Sequence, residues 1–136
     1  TGGKSDWKDS FETPPKAAVL VISDGVSSGK KVDKAGAAIA VATDLNPGTS
    51  PLQSFPLVLT LAVSQLRLSA SEAWIAATVN GAAALGLADS TGQLREGFRA
   101  DIAVHAADDF RALPYWFGER LCRMAWAGGR VCHPSR

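Results

Sequence analysis

With 136 residues, a net charge of +1 and 46% hydrophobic against 20% charged residues, the chain has the length for one cored domain and is too apolar to be disordered. It falls well short of a complete (β/α)8 barrel, which takes about 250 residues. Its charge balance recruits neither nucleic acid nor an anionic membrane. No uninterrupted apolar run reaches the ~18 residues of a membrane span, and the first residues lack the basic and apolar regions of a secretion signal.

Residues 1–16 are polar and punctuated, ending in Pro14 and Pro15, with Trp7 and Phe11 as the only apolar anchors; they read as an N-terminal arm. Ala17 to Ile22 is a short β-branched run, a buried strand closed by Ser23, Asp24 and Gly25. Ser28 to Ala35 has the length and cap of a short helix, and Ala37 to Thr43 is a second strand. Strand, helix and strand in that order predict a right-handed crossover and parallel pairing. The run from Gly25 to Lys31 invites a phosphate-loop reading. It fails because three residues, not four, separate Gly25 from Gly29, and Lys31 stands where a magnesium-binding Ser or Thr is needed.

The second strand ends in Asp44, followed by Leu45, Asn46, Pro47, Gly48, Thr49, Ser50 and Pro51. In α/β sheets and barrels, ligands sit at the carboxyl ends of strands. A carboxylate there can ligate a divalent metal or accept a proton from water. The competing reading is an Asx-turn or a helix cap. Asn46 offers an amide donor and acceptor, Thr49 a hydroxyl, and Gly48 a close backbone approach. Asn-Pro-Gly is equally ordinary turn chemistry.

Ser54 to Arg67 is apolar nearly all round, so the helix it predicts needs burial on several sides and has little to pack against, which predicts self-association or missing partner structure. Ser69 with Glu72 forms a capping box that starts a helix running to about Asn80, and Ala82 to Leu87 adds a further turn stopped by Gly86. Ala100 to His105 is a strand, Asp108 to Gly118 a short helix or loop, and Leu121–Trp126 with Arg130–His133 a hairpin turned at Gly128 and Gly129. A two-residue turn sets Ala127 opposite Arg130 and Ala125 opposite Cys132, leaving Cys122 out of disulfide reach. Two free thiols fit a reducing cytoplasm. His105 reads as an exposed or satisfied strand-end residue, His133 as frayed, and Trp74, Trp116 and Trp126 as core or interface anchors. Leu113 to Phe117 is a bulky cluster suited to closing against further structure.

The run Ala42 to Pro51 resembles the signature of the imidazolonepropionase family of metal-dependent amidohydrolases. The likeness continues through Leu68–Ala73, Thr78–Leu87 and Gly92–Val104, roughly residues 32 to 131 in all. The Asn-Pro-Gly-Thr loop is specific to that subfamily, whereas the Gly92–Asp101 stretch is shared across amidohydrolases. The resemblance implies an α/β fold: the C-terminal part of a (β/α)8 amidohydrolase barrel plus strands of a flanking β-sandwich. On that reading residues 1–16 are an arm, 17–91 the last barrel strands and helices, and 92–136 the sandwich portion. The implied reaction is hydrolysis of the small-molecule substrate 4-imidazolone-5-propanoate to N-formimidoyl-L-glutamate. The implied cofactor is Zn2+, or alternatively Fe3+.

By the same resemblance Asp44 is the metal ligand and handles protons, while Asn46, Gly48 and Thr49 bind substrate. The family's other ligands are histidines on earlier strands. Only His105 and His133 occur here, neither at a matching position, so the chain alone is expected to lose the metal and to be inactive. Two other readings stay open: a different amidohydrolase or deaminase, and a non-catalytic remnant that acts as an interaction module.

Overall fold

The computed structural model describes residues 17–19 and 38–134. The expected arm, the helix at 28–35 and the Gly25–Lys31 run lie outside them. Strand β1 (Ala17–Val19) pairs in parallel with β2 (Ala38–Ala40), Ala18 lying opposite Ile39, as the strand order required. Ile39, Ala40 and Val41 are buried. β2 stops three residues before the expected Thr43 because Val41 N–H donates to the Ala76 carbonyl (3.2 Å), which draws the chain off the ladder, and Asp44 then takes a left-handed φ of 51°.

Helix α1 (Phe55–Ser64) starts with Pro56 in its first turn, where the missing N–H costs nothing. It ends before the expected Arg67, since Arg67 adopts φ 59° and Leu68 N–H reaches back to the Ala62 carbonyl at 3.1 Å. Its apolar girth does find cover. Val58, Leu59 and Ala62 are fully buried with Leu66, Leu68, Ala73, Ala76 and Leu113. Burying a Leu or Val contributes about 1.5–3 kcal/mol. Part of that cover is α4 (Ala112–Tyr115), held to α1 by the Thr60 hydroxyl donating to the Pro114 carbonyl at 2.6 Å. Leu113 and Pro114 are buried, while Tyr115, Trp116 and Phe117 project outward. Trp116 is thus a surface residue, not a core anchor.

The predicted capping box is present: Glu72 N–H donates to Ser69 Oγ, and Ser69 N–H to Glu72 Oε2 at 2.7 Å. The helix it starts is bent, dividing into α2 (Ala70–Ala77) and α3 (Val79–Ala84) at Thr78. The Thr78 hydroxyl bonds back to the Trp74 carbonyl at 2.7 Å, a back-bond that bends helices.

Strands β3 (Ile102–His105), β4 (Cys122–Ala127) and β5 (Arg130–Pro134) form an antiparallel sheet in that order. Gly128 and Gly129 both have positive φ, as a type I′ hairpin turn demands. The predicted register holds at Ala127–Arg130 and then slips. A bulge sets Ala125 opposite His133, not Cys132, and the Cys132 thiol donates to the Ala125 carbonyl at 3.4 Å. Both cysteines are free. No helix among the described residues is long and apolar enough to cross a membrane.

Candidate functional site

The loop after β2 is closed at both ends. Ser50 Oγ donates to the Thr43 carbonyl at 2.9 Å, and Asn46 N–H donates to the Ser50 carbonyl at 2.9 Å. Inside this ring the Asn46 side chain organises the turn. Its Oδ1 accepts from Gly48 N–H (3.0 Å), Thr49 N–H (2.8 Å) and Thr49 Oγ1 (3.2 Å), and its Nδ2 donates to the Asp44 carbonyl at 2.7 Å. The Gly48 N–H, expected to approach a ligand, is engaged within the loop. The carbonyl oxygen of the Asn46 side chain is likewise fully used. One Nδ2 hydrogen of Asn46 and the lone pairs of Thr49 Oγ1 remain for other partners.

Asp44 is the residue this ring presents. Aspartate is among the few side chains that tolerate the left-handed region, and the Asn46 bond to its carbonyl holds it there. Its carboxylate is exposed and, among the described residues, takes no hydrogen bond. It caps no helix; Ser54 occupies the N-cap of α1. The Asx-turn chemistry of this loop therefore belongs to Asn46, not to Asp44.

A cleft of about 720 Å³ opens beside the loop, lined by Ala40–Thr43, α2 and α3 residues including Trp74, Ala77 and Ala82, the Thr91–Leu94 segment, and Ile102, Ala103 and His105 of β3. Thr43 lines it, but Asp44, Asn46, Gly48 and Thr49 do not. The structure groups the four predicted residues on one loop and leaves them at the cleft's margin.

Two residues assigned no role in a site from the sequence, His105 and Asp101, line this cleft. His105 is half-buried with its ring edge-on to Trp74 (centroids 6.3 Å apart), and its Nδ1 is buried with no partner among the described residues, contrary to the exposed or satisfied histidine expected. Burial pushes its pKa below the usual 6.5. Asp101 joins three segments. Its Oδ1 accepts from Gly128 N–H at 2.7 Å, its Oδ2 accepts from Thr91 Oγ1 at 3.1 Å, and Arg99 pairs with it. The Gly128 bond, with those of Thr91 and Arg99, holds its carboxyl below the ordinary carboxylate range. The Gly-x-x-Ala-Asp pattern was the signal for it, and its role here is to staple the hairpin turn to the loop before β3.

Among the described residues no three His, Cys, Asp or Glu side chains stand close enough to hold a metal ion. A catalytic zinc takes three protein ligands and a structural one four, so Asp44 does not fit a bound metal without groups from elsewhere.

The sequence profile described as the amidohydrolase family matches residues 12–133. The imidazolonepropionase of Solibacter usitatus (strain Ellin6076) is 42% identical over 98 residues, 72% of this chain and 23% of that protein. The imidazolonepropionase of Phocaeicola vulgatus is 38% identical over 116 residues, 85% of this chain and 28% of that protein. The crystal structure of A. niger ochratoxinase superposes with a TM-score of 0.62 at 33% identity, over 74% of this chain and 23% of that one. The chain spans about a quarter of the length of the curated relatives it matches. A profile match over nearly the whole sequence establishes that the chain belongs to the amidohydrolase family.

Proposed function

We propose that this chain supplies the aspartate-bearing loop of a hydrolase that opens the cyclic amide of 4-imidazolone-5-propanoate to N-formimidoyl-L-glutamate. The observation that carries the reading is the exposed Asp44 carboxylate, unengaged among the described residues and held in left-handed backbone by Asn46. Such a carboxylate is free to take a proton from water as its oxygen attacks the amide carbon; the C–N bond then breaks and the ring nitrogen leaves with a proton. The remaining Nδ2–H of Asn46 and the Thr49 hydroxyl are suited to orienting the polar ring, and Gly48 keeps that approach clear. A zinc or iron ion bound partly by Asp44 belongs to the same proposal, its other ligands coming from outside the described residues. Free thiols at Cys122 and Cys132 favour the cytoplasm as its place.

The test is a complemented enzyme in which the Solibacter imidazolonepropionase, lacking its matched portion, is combined with this chain. Hydrolysis is expected with the wild-type chain. Asp44→Asn keeps the turn and removes the base, so turnover should fall about 10²- to 10⁴-fold, whereas Asn46→Ala should mainly raise KM. Near-normal turnover by Asp44→Asn would sink the assignment. The likeness to ochratoxinase favours one rival, a family member acting on another amide; a panel of amide substrates offered to the same complex separates the two.

A further inference from the structure

Ser50 differs from the rest of the loop it closes. Among the described residues it is the one polar residue that is buried, 3% exposed, while Asp44, Gly48 and Thr49 are exposed and Asn46 is half-exposed. A buried hydroxyl is bonded as a rule, and Ser50 Oγ donates to the Thr43 carbonyl at 2.9 Å, seven residues back. That carbonyl belongs to the peptide plane that enters Asp44. The plane that leaves Asp44 carries its own carbonyl, which accepts from Asn46 Nδ2 at 2.7 Å. Peptide planes are rigid and turn on the Cα between them only through φ and ψ. Holding both carbonyls therefore holds both torsions of Asp44, whose φ of 51° is a setting few side chains adopt. The two holders are also tied to each other, since Asn46 N–H donates to the Ser50 carbonyl at 2.9 Å.

We propose that Ser50 is a positioning residue for Asp44: its hydroxyl orients the Thr43–Asp44 peptide and, through φ of Asp44, aims the carboxylate. Asn46 and Ser50 are not equivalent in this. Asn46 bonds only two residues back and keeps an Nδ2 hydrogen for other partners. Ser50 is shielded from water, and the single hydrogen of its hydroxyl is spent on Thr43. Without that bond the entering peptide is free to turn, and Asp44 relaxes toward negative φ with its carboxylate redirected. Ser50 itself touches no substrate, so its loss lowers the rate of the reacting step and leaves substrate affinity nearly unchanged. A reacting group misplaced by about 1 Å costs on the order of 10²-fold in rate. The catalytic consequence rests on the reading of Asp44 as proton acceptor; the geometric consequence does not.

The geometry is read by NMR on the full 136-residue chain. Left-handed backbone brings a residue's amide and α protons together, so Asp44 should show a strong intraresidue NH–Hα Overhauser cross-peak. Ser50→Ala should weaken it, and Ser50→Thr, which keeps the donor, should retain it. The chemistry is read in the Solibacter imidazolonepropionase lacking its matched portion and complemented by each variant. There Ser50→Ala should lower kcat about 10- to 100-fold with little change in KM, and Ser50→Thr should restore it. An undiminished cross-peak in Ser50→Ala, an equal loss in Ser50→Thr, or an effect confined to KM would each overturn the proposal. So would a normal kcat in Ser50→Ala where Asp44→Asn abolishes turnover. Should Ser50→Ala not fold, Ser50→Val is compared with Ser50→Thr, close to it in shape but without the hydroxyl. A fold lost in every variant without the hydroxyl makes Ser50 a support of the whole chain, and overturns its positioning role. If the wild-type complex does not turn over, or Asp44→Asn turns over normally, the proposed function fails, and the cross-peaks alone decide the role of Ser50.

Discussion

The side-chain amide of Asn80 donates to the backbone carbonyl of Ile39 across 2.8 Å, so a helix, not a strand, closes that edge of β2. Val41 N–H, donating to the Ala76 carbonyl, closes the next position of the same edge. Four residues separate Ile39 from Asp44, so the α2–α3 bend sets where the candidate carboxylate emerges. Asn80→Ala leaves the part-buried carbonyl unpaired and should destabilise the chain by about 1–3 kcal/mol. Urea denaturation followed by circular dichroism measures this; an unchanged midpoint would show the bond to be dispensable.

Gly92 is needed twice over. Its φ is +88°, and a Cβ built on it would meet Ala82 Cβ at 2.7 Å and the Thr78 carbonyl oxygen at 2.9 Å. Left-handed strain in a non-glycine residue is of order 1–3 kcal/mol, and overpacking against the helix bend adds about 1–3 kcal/mol. Gly92→Ala should therefore unfold far earlier in urea than Gly97→Ala, whose Cβ meets nothing although its φ of +84° is similar. Equal midpoints for the two variants would remove the packing part of the account.

Acid should weaken the fold in a window set by His105. Burial lowers its folded pKa below 6.5, so the unfolded chain binds the proton more readily and stability rises with pH. Stability is therefore lost as pH falls from about 6.5 through the lowered value. Asp101, whose carboxyl is held below the ordinary 3.8, acts in the same direction only below that value, outside this window. Urea midpoints at pH 7.5 and 5.5 should differ for the wild type and draw together in His105→Gln; an undiminished difference would assign the effect to another group.

The 136-residue chain alone should not hydrolyse imidazolone propanoate above a metal-free blank, and should retain no stoichiometric zinc after gel filtration, since the described residues offer Asp44 without a cluster of partner ligands. Turnover, or one zinc per chain, would show that a site forms which the described residues do not reveal.

Local chemistry was readable in the sequence. The Ser69–Glu72 box, the parallel strand pair and the Gly128–Gly129 turn all depend on residues close in the chain or on strand order, and all are found. What was missed depends on contacts between distant segments. Thr78 divides a helix predicted to run on to about Asn80, its hydroxyl bonding back to the Trp74 carbonyl, and a single bulge shifts Cys132 off Ala125. His105 looked like a strand end; only folding brings Trp74 against it. Asp44 and its loop were legible as a unit, but the division of labour within them was not. The ring geometry gives the turn to Asn46 and leaves the aspartate bare.

The loop from Thr43 to Ser50 closes on itself, with Ser50 Oγ bonded to the Thr43 carbonyl and Asn46 bridging the interior. Shape held by bonds within eight consecutive residues needs little from the surroundings, which makes the segment portable. Grafted onto the carboxyl end of a parallel strand in an unrelated α/β scaffold, it should bring its left-handed aspartate along as a cassette, ready to be joined by histidines placed on neighbouring strands of the new host.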